Sequence, residues 1–541
     1  MIKYFLLILS FLFTACNGTS SETTTKGVNL DFSHHQINIE KLTGSSELNI
    51  TIGDEPKDIY FLFTNRGNHS EMLGLTSDKS LEDYQKTERV SSALDNEYPD
   101  LSRNSLAIDT FNHQQLQKEM KKETLLKTFE EKSFGSSDRK EFFLSLDRSE
   151  STWAVLKKDL QDIATKQGII SLKIWVSEEN FSSSCITQEM VDALASSFLK
   201  EGEDNDIYDW VTNIFGEPWG ETGMESFIDN KHEINILLTD IDHDNKIEDA
   251  VSGYFYAKDN YKQTVYSGSN EQLMFYLDAP IFAFHKEETD WSIDQYQPKR
   301  MLSTLAHELE HMIYFYQKSV LEGLTESLPW VDEMLAVSTE DILATKLKTL
   351  GIRGVPSFFG DAGEYKIYDN RLARFNKSMD ESLFEWNGEL KDYSKVAAFG
   401  AYLMRNYGGA EILYNIMHNP YGDEAAVVYG VNQSSLVGKY KDFYEILQDW
   451  GIAILLSSEE QEKSFYKYNR GDFFEFDYNE TLYSLGSINF FNYYIQPLIK
   501  TQAESINPHA NLYYKIGEGI SGDLHINIEV PETVDFAIVS K

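Results

Sequence analysis

Apolar and polar positions alternate early in the chain. VNLDF, QINIEKL, ELNITI and DIYFLFT, all within residues 27–64, repeat every second residue and are broken by Gly, Ser, Asn and Asp. That pattern predicts the short strands of a small β-rich unit. Residues 70–150 lose it. LSRNSLAIDTFNHQQLQKEMKKETLLKTFEEK is rich in Lys and Glu and predicts a mix of loop and exposed helix. Near Gly168 a new pattern begins. IISLKIWVSE predicts a strand, and TQEMVDALASSFLKEG a helix with apolar residues at helical spacing. EINILLTDI, GYFYA and LMFYLDAPIFAF predict further strands. From Pro298 to about residue 465 the periodicity is helical, strongest in KRMLSTLAHELEHMIYFYQK. From about Tyr483 the chain returns to strands such as LHINIEV and DFAIVS, and no internal repeat is evident.

These changes divide the chain. Residues 28–167 read as an N-terminal β-rich accessory domain, or a propeptide, with a charged helical or loop segment. Residues 168–465 read as a central domain of mixed sheet and helix, and 466–541 as a C-terminal β-rich domain. The fold class expected is α+β, with a mixed sheet followed by a helical subdomain and small β-rich domains on either side. A length of 541 residues agrees with several domains, and 41% hydrophobic with 13% aromatic residues supplies large cores. Asp and Glu outnumber Lys and Arg by 87 to 48, a net charge of −39. Phosphate backbones repel such a chain, so no nucleic-acid partner is expected. The two cysteines, Cys16 and Cys185, build neither a disulfide framework nor a cysteine-based zinc site.

The chain opens MIKYFLLILSFLFTAC. Lys3 is followed by an apolar run over 4–13, too short to span a bilayer and matching the core of an export signal. Phe-Thr-Ala-Cys resembles a bacterial lipobox, with Phe13 where Leu is commoner. That resemblance implies a signal peptide over 1–15 and an acylated Cys16 that anchors the mature protein to a membrane. Ordinary cleavage after Ala15, leaving a soluble secreted protein, is the alternative. Residues 16–27 read as a flexible tether. The expected location is the cell surface or periplasm. Cys185 then remains as a lone thiol with no assigned role.

The informative motif is His307-Glu308-Leu309-Glu310-His311. A helix places positions i and i+4 on one face, so His307 and His311 can offer imidazole nitrogens to one metal ion. Glu308 lies beside them, within reach of a water on that metal. Leu302, Leu305, Ala306, Leu309, Met312 and Ile313 make the same helix apolar, and polar ligands inside such a stripe are costly unless paired or metallated. Catalytic zinc takes three protein ligands and leaves one position open. Glu333, in PWVDEMLAVSTEDIL after a turn with Gly323 and Pro329, is the expected third.

AHELEHMIYFYQK followed by PWVDEMLAVSTEDI resembles the hyicolysin family of bacterial zinc metallopeptidases, which belong with the thermolysin-like gluzincins. DIDHDNKIEDAVSGYF and MFYLDAP add to the likeness, which covers about 170–465. It implies a zincin-type catalytic domain, zinc on His307, His311 and Glu333, and Glu308 as catalytic base. The family usually has Asn-Glu at the third ligand, whereas this chain has Asp332-Glu333. The implied activity is an exported, lipid-anchored endopeptidase that cleaves protein or peptide substrates with a zinc-bound water activated by Glu308. A non-catalytic surface lipoprotein, such as an adhesin on the same scaffold, is the competing reading. The sequence is silent on oligomeric state.

Other residues complete the expectation. Tyr393, in DYSKVAAFGAYLMRNYGG, resembles the tyrosine of gluzincin aminopeptidases and is the candidate donor to the oxyanion, with His418 as alternative. A ligand histidine needs a partner for its other nitrogen. In thermolysin-like sites a carboxylate four residues after the ligand Glu supplies it. Here that position is Val337, and Glu340, two turns beyond Glu333, is the substitute. The Asp240, Asp242 and Asp244 run suggests a calcium ion, weighed against a solvated acidic turn. Asn245 and Val251 stand where an EF-hand loop has Gly and Glu. Gly223-Met224-Glu225 resembles a substrate-amine motif but lies far upstream of His307, which favours an endopeptidase over an aminopeptidase.

Overall fold

The structure is a computed structural model. It describes residues 26–77, 103–113 and 138–541, apart from 183–184, 230–231, 248–249, 286–289, 325–326, 350, 354–370, 462–464, 494 and 502–504. The signal segment, Cys16 and nearly all of the tether lie outside the described residues. No helix among the described residues is long and apolar enough to cross a membrane.

Both ends of the chain build one sheet. β1 (Lys26–Asp31), β2 (Asn38–Thr43), β3 (Ser46–Asn65) and β5 (Gly74–Ser77) come from the start, β15 (Asn511–Glu529) and β16 (Val534–Ser540) from the end. The order is β2-β16-β3-β15-β5, with β1 parallel to β3. β4 (Glu71–Met72) and β14 (Ser505–Ile506) pair beside it. The separate N- and C-terminal β-rich domains are thereby corrected to one unit. β15 runs antiparallel to β3 along most of its length and β16 along its last part, Ile59–Asn65, a pairing across more than 400 residues that local periodicity cannot reveal. β3 uses its alternation twice. Ile59, Phe61 and Phe63 face the core of this sheet, while Tyr60 and Leu62 join the main core. Gly451 allows that second contact, because a Cβ there would overlap the Leu62 side chain.

The second sheet contains β6 (Arg139–Phe143), β7 (Ser151–Thr165), β8 (Gly168–Ser177), β9 (Glu233–Thr239), β10 (Gly253–Phe255) and β11 (Leu273–Asp278). Its order is β10-β11-β9-β8-β7-β6. β8, β9 and β11 are parallel, and β10 runs antiparallel on the edge. The boundary expected at 168 falls in the β7–β8 hairpin, so the sheet starts near Arg139, within the stretch expected as charged loop and helix. The strand expected through LMFYLDAPIFAF stops at Asp278. The Asp278 carboxylate accepts the Ile281 N–H at 2.8 Å and, with Pro280, starts α5 (Ala279–Ala283).

Among the described residues, the short helix α1 (Arg103–Asn112) precedes this sheet. α2 (Glu178–Ser182), α3 (Gln188–Phe198) and α4 (Ile207–Phe215) follow β8. After β11 and α5 come α6 (Tyr296–Tyr314), α7 (Pro329–Leu347), α8 (Arg371–Phe375), α9 (Leu390–Tyr407), α10 (Ala410–Met417), α11 (Glu424–Gln433) and α12 (Phe443–Leu455). A final hairpin, β12 (Phe474–Tyr478) with β13 (Thr481–Leu485), packs under α7. α7 is apolar on nearly every face and is therefore the buried centre, with α6 and α9 on either side.

Two features seat α9 on α7. Gly400 faces Ser338 and Met334, and a Cβ at that position would overlap Ser338 Oγ. Asp341 Oδ2 accepts from Arg405 Nη1 at 2.8 Å, with both side chains fully buried, and Arg405 also donates to the Gly486 carbonyl. Arg405→Met leaves the Asp341 carboxylate buried without its cation. The expected loss is about 3–5 kcal/mol, read as a lower denaturant midpoint with an unchanged slope.

Candidate metal centre

α6 and α7 bring three groups to one point. His307 Nε2 and His311 Nε2 are 3.0 Å apart, and Glu333 Oε2 stands 3.4 Å from the first and 3.7 Å from the second. Ligand atoms about 2.0–2.1 Å from a tetrahedral zinc are separated by about 3.3–3.4 Å, so this triangle has the size of one face of such a site. Glu333 Oε2 is buried without a hydrogen-bond donor. Two imidazole nitrogens and an orphaned carboxylate oxygen are an N/O donor set suited to zinc, and the residues fit the ion.

The other imidazole nitrogens are held. His307 Nδ1 lies 2.8 Å from Glu340 Oε1, which also accepts from Arg371 Nη2 at 2.7 Å. His311 Nδ1 lies 2.9 Å from Asp332 Oδ1. Carboxylate partners accept from the Nδ1–H of each ring, and a metal bound at Nε2 would displace the other proton. Burial would raise the Glu340 carboxyl, but Arg371 and His307 outweigh it and hold it down at about 2. Burial likewise lowers His307, while Glu333 and Glu340 push it up to about 10. In both cases the surrounding charges dominate, and the pocket is strongly attractive to a cation.

Glu308 turns to the edge of the sheet. Its Oε2 accepts the Phe255 N–H of β10 at 2.8 Å. Burial raises its pKa, opposed by the two histidines. Tyr393 projects from the first turn of α9, and its hydroxyl donates to Glu333 Oε1 at 3.1 Å. The Arg371 guanidinium lies 5.5 Å from the Tyr393 ring centre and the Trp386 ring 5.0 Å from it. Thus Tyr393 and Glu340 both reach the centre. His418 does not: its Nε2 faces the Phe215 carbonyl at 3.0 Å and its ring lies tilted against Tyr414.

Four participants escaped the sequence reading. Asp332 was noted only as a departure from Asn, yet its carboxylate is the partner of His311. Arg371 backs Glu340. His113, the residue after α1, has Nε2 2.8 Å from Asp332 Oδ2. Glu310 is fully buried beside Asp332, and burial together with that carboxylate raises its pKa well above the ordinary range. Only Asp332 left a local signal, the acidic residue beside the third ligand.

The acidic run gives no calcium site among the described residues. Both Asp240 oxygens accept the Asn245 N–H, at 3.3 and 3.2 Å, and Asp244 pairs with Lys246 at 2.7 Å. The groupings able to hold a cation there are His307, His311 and Glu333, and Glu310, His311 and Asp332. Gly223, Met224 and Glu225 line a separate recess of about 470 Å³ with Asp229 and Lys262, away from the histidines.

The chain is similar to the neutral metalloprotease ShpI of Staphylococcus hyicus, at 26% identity over 271 residues, 48% of this chain and 51% of that protein. It therefore spans about half the length of this relative. The sequence pattern of the peptidase M30 family matches residues 149–451, from just before β7 into α12. That span exceeds half of the 541 residues and contains both histidines and Glu333, and the chain belongs to the peptidase M30 family.

Proposed function

We propose that this chain is an exported, lipid-anchored zinc endopeptidase, with a zincin-type catalytic domain. The observation that carries the reading is the orphaned Glu333 Oε2 facing His307 Nε2 and His311 Nε2. Family membership and the likeness to a neutral metalloprotease support peptidase chemistry. Zinc on His307, His311 and Glu333 would supply a Lewis acid and lower the pKa of its water. Everything else is done by side chains. Glu308, held by the Phe255 N–H, takes the proton of the attacking water and passes it to the leaving amine. Its raised pKa brings its proton affinity toward that task. Tyr393 donates a hydrogen bond from its hydroxyl to the developing oxyanion, for which it must leave Glu333 Oε1.

Tyr393→Phe is expected to lower kcat by about 10²-fold with KM little changed, because the donor acts on charge that exists only in the transition state. Steady-state kinetics on one peptide would show it, and a change confined to KM would remove Tyr393 from this role. The activity itself is tested with an unfolded protein such as casein, incubated with the chain from Asn17 onward. Internal cleavage that stops with a chelator and returns with zinc is the expected result. A folded, zinc-loaded chain that leaves casein and a peptide library intact would contradict the proposal.

A further inference from the structure

We propose that α1, contributed by the region ahead of the catalytic sheet, is a built part of the metal centre and that His113 at its end is a positioning residue for His311. The proposal rests on the reading of His307, His311 and Glu333 as metal ligands. Three consecutive residues carry it. Phe111 packs edge-on against Tyr256 and Tyr266, with ring centres 5.3 and 5.1 Å away. Asn112 uses both ends of its amide on the edge strand. Its Nδ2 donates to the Phe255 carbonyl at 2.9 Å, and its Oδ1 accepts the Ala257 N–H at 2.9 Å. Phe255 is the residue whose N–H holds Glu308, so Asn112 fixes the backbone behind the base.

His113 does the same behind a ligand. Its side chain is only 7% exposed. Nε2 lies 2.8 Å from Asp332 Oδ2, and the other oxygen of that carboxylate is 2.9 Å from His311 Nδ1. Nδ1 lies 2.8 Å from the Asp109 main-chain carbonyl oxygen and 3.0 Å from Asp109 Oδ1. Both ring nitrogens thus face oxygens, Nδ1 in a hydrogen bond and Nε2 in a close ion-pair contact with the Asp332 carboxylate. Asp109 Oδ2 in turn accepts from the Trp386 indole at 3.2 Å, and Trp386 packs on Tyr393. A line His311–Asp332–His113–Asp109 thus begins at one candidate ligand and ends beside the oxyanion donor.

A segment that merely plugged the cleft could leave without loss to the groups beneath it. Removing α1 would instead strip partners from the Ala257 N–H, the Trp386 indole and a buried Asp332. Such losses are costly in a dry site. α1 is accordingly needed for activity, and its removal inactivates.

The test compares wild type with His113→Ala, His113→Gln and His113→Phe in the full chain, measuring zinc affinity by chelator competition as well as kcat and KM. His113→Ala is expected to lower zinc affinity and kcat by roughly 10–100-fold each, with KM within about twofold. His113→Gln restores most of both, because its amide can still donate to Asp332. Should His113→Ala fail to fold, the Gln and Phe variants decide, since Phe fills the space without a donor. Equal zinc affinity in those two, or wild-type values in His113→Ala, overturns the proposal. Higher turnover in any of them also overturns it, by showing that α1 restrains the site. A wild type that binds no zinc overturns the metal-site reading as well, which separates the two failures.

Discussion

Glu308→Gln is expected to leave zinc binding intact and to cut turnover by about 10²–10⁴-fold, the range a positioned general base supplies. The amide keeps the size of the carboxyl and an acceptor oxygen for the Phe255 N–H, so the edge strand and helix α6 stay in register. What it loses is the ability to take a proton. The pH profile carries the same information. A base works only when ionised, so activity falls as pH drops through the pKa of Glu308. Burial places that pKa above the ordinary 4.5, although the neighbouring cationic groups oppose the shift. The wild-type acid limb in kcat/KM is therefore expected above 4.5, and the residual activity of Glu308→Gln should lack it. A Gln variant with the wild-type limb and rate would assign the base elsewhere.

Glu333→Ala is expected to lose zinc as well as activity. Glu333 is 3% exposed and its Oε2 has no donor, so its charge is balanced by whatever lies between the two imidazoles. Removing it takes away one of three ligands, and the affinity should fall by more than the roughly 10–100-fold typical of an outer partner. Thermal unfolding gives an independent readout. A ligand that binds only the folded chain raises its stability by mass action. Chelation should lower the wild-type Tm and leave that of Glu333→Ala in place. A Glu333→Ala protein that retains a full equivalent of zinc at wild-type affinity would mean that another group completes the site.

The parts legible in the sequence were those set by short-range geometry. The i, i+4 spacing of His307 and His311 puts both on one helix face whatever surrounds them. Glu340 follows from helical spacing once Glu333 is placed, and it lies 2.8 Å from His307. Tyr393 is nominated by its resemblance to the tyrosine of gluzincin aminopeptidases, at the start of an apolar helix that ends at Gly408-Gly409. What escaped depends on contacts between distant segments. His113 sits almost 200 residues before His307, in a Lys/Glu-rich stretch with no apolar period to announce a buried role. Arg371 looks like any surface cation until α8 is set beside Glu340. The sheet shared by the two chain ends was equally hidden, since β3 and β15 each read as ordinary alternating strands. The misplaced boundary at 168 has the same origin. β7 exposes many of its positions and lacks the apolar run of β8, so only pairing reveals that they are one hairpin.

The decisive measurement is a zinc titration of the metal-free chain, following peptide cleavage and bound metal together. Turnover should rise in step with zinc and stop rising at one equivalent, with His307→Ala showing neither saturation nor activity over the same range. Cleavage at full rate without metal, or one equivalent of tightly bound zinc with no cleavage of any peptide tested, would contradict a zinc peptidase built on His307, His311 and Glu333.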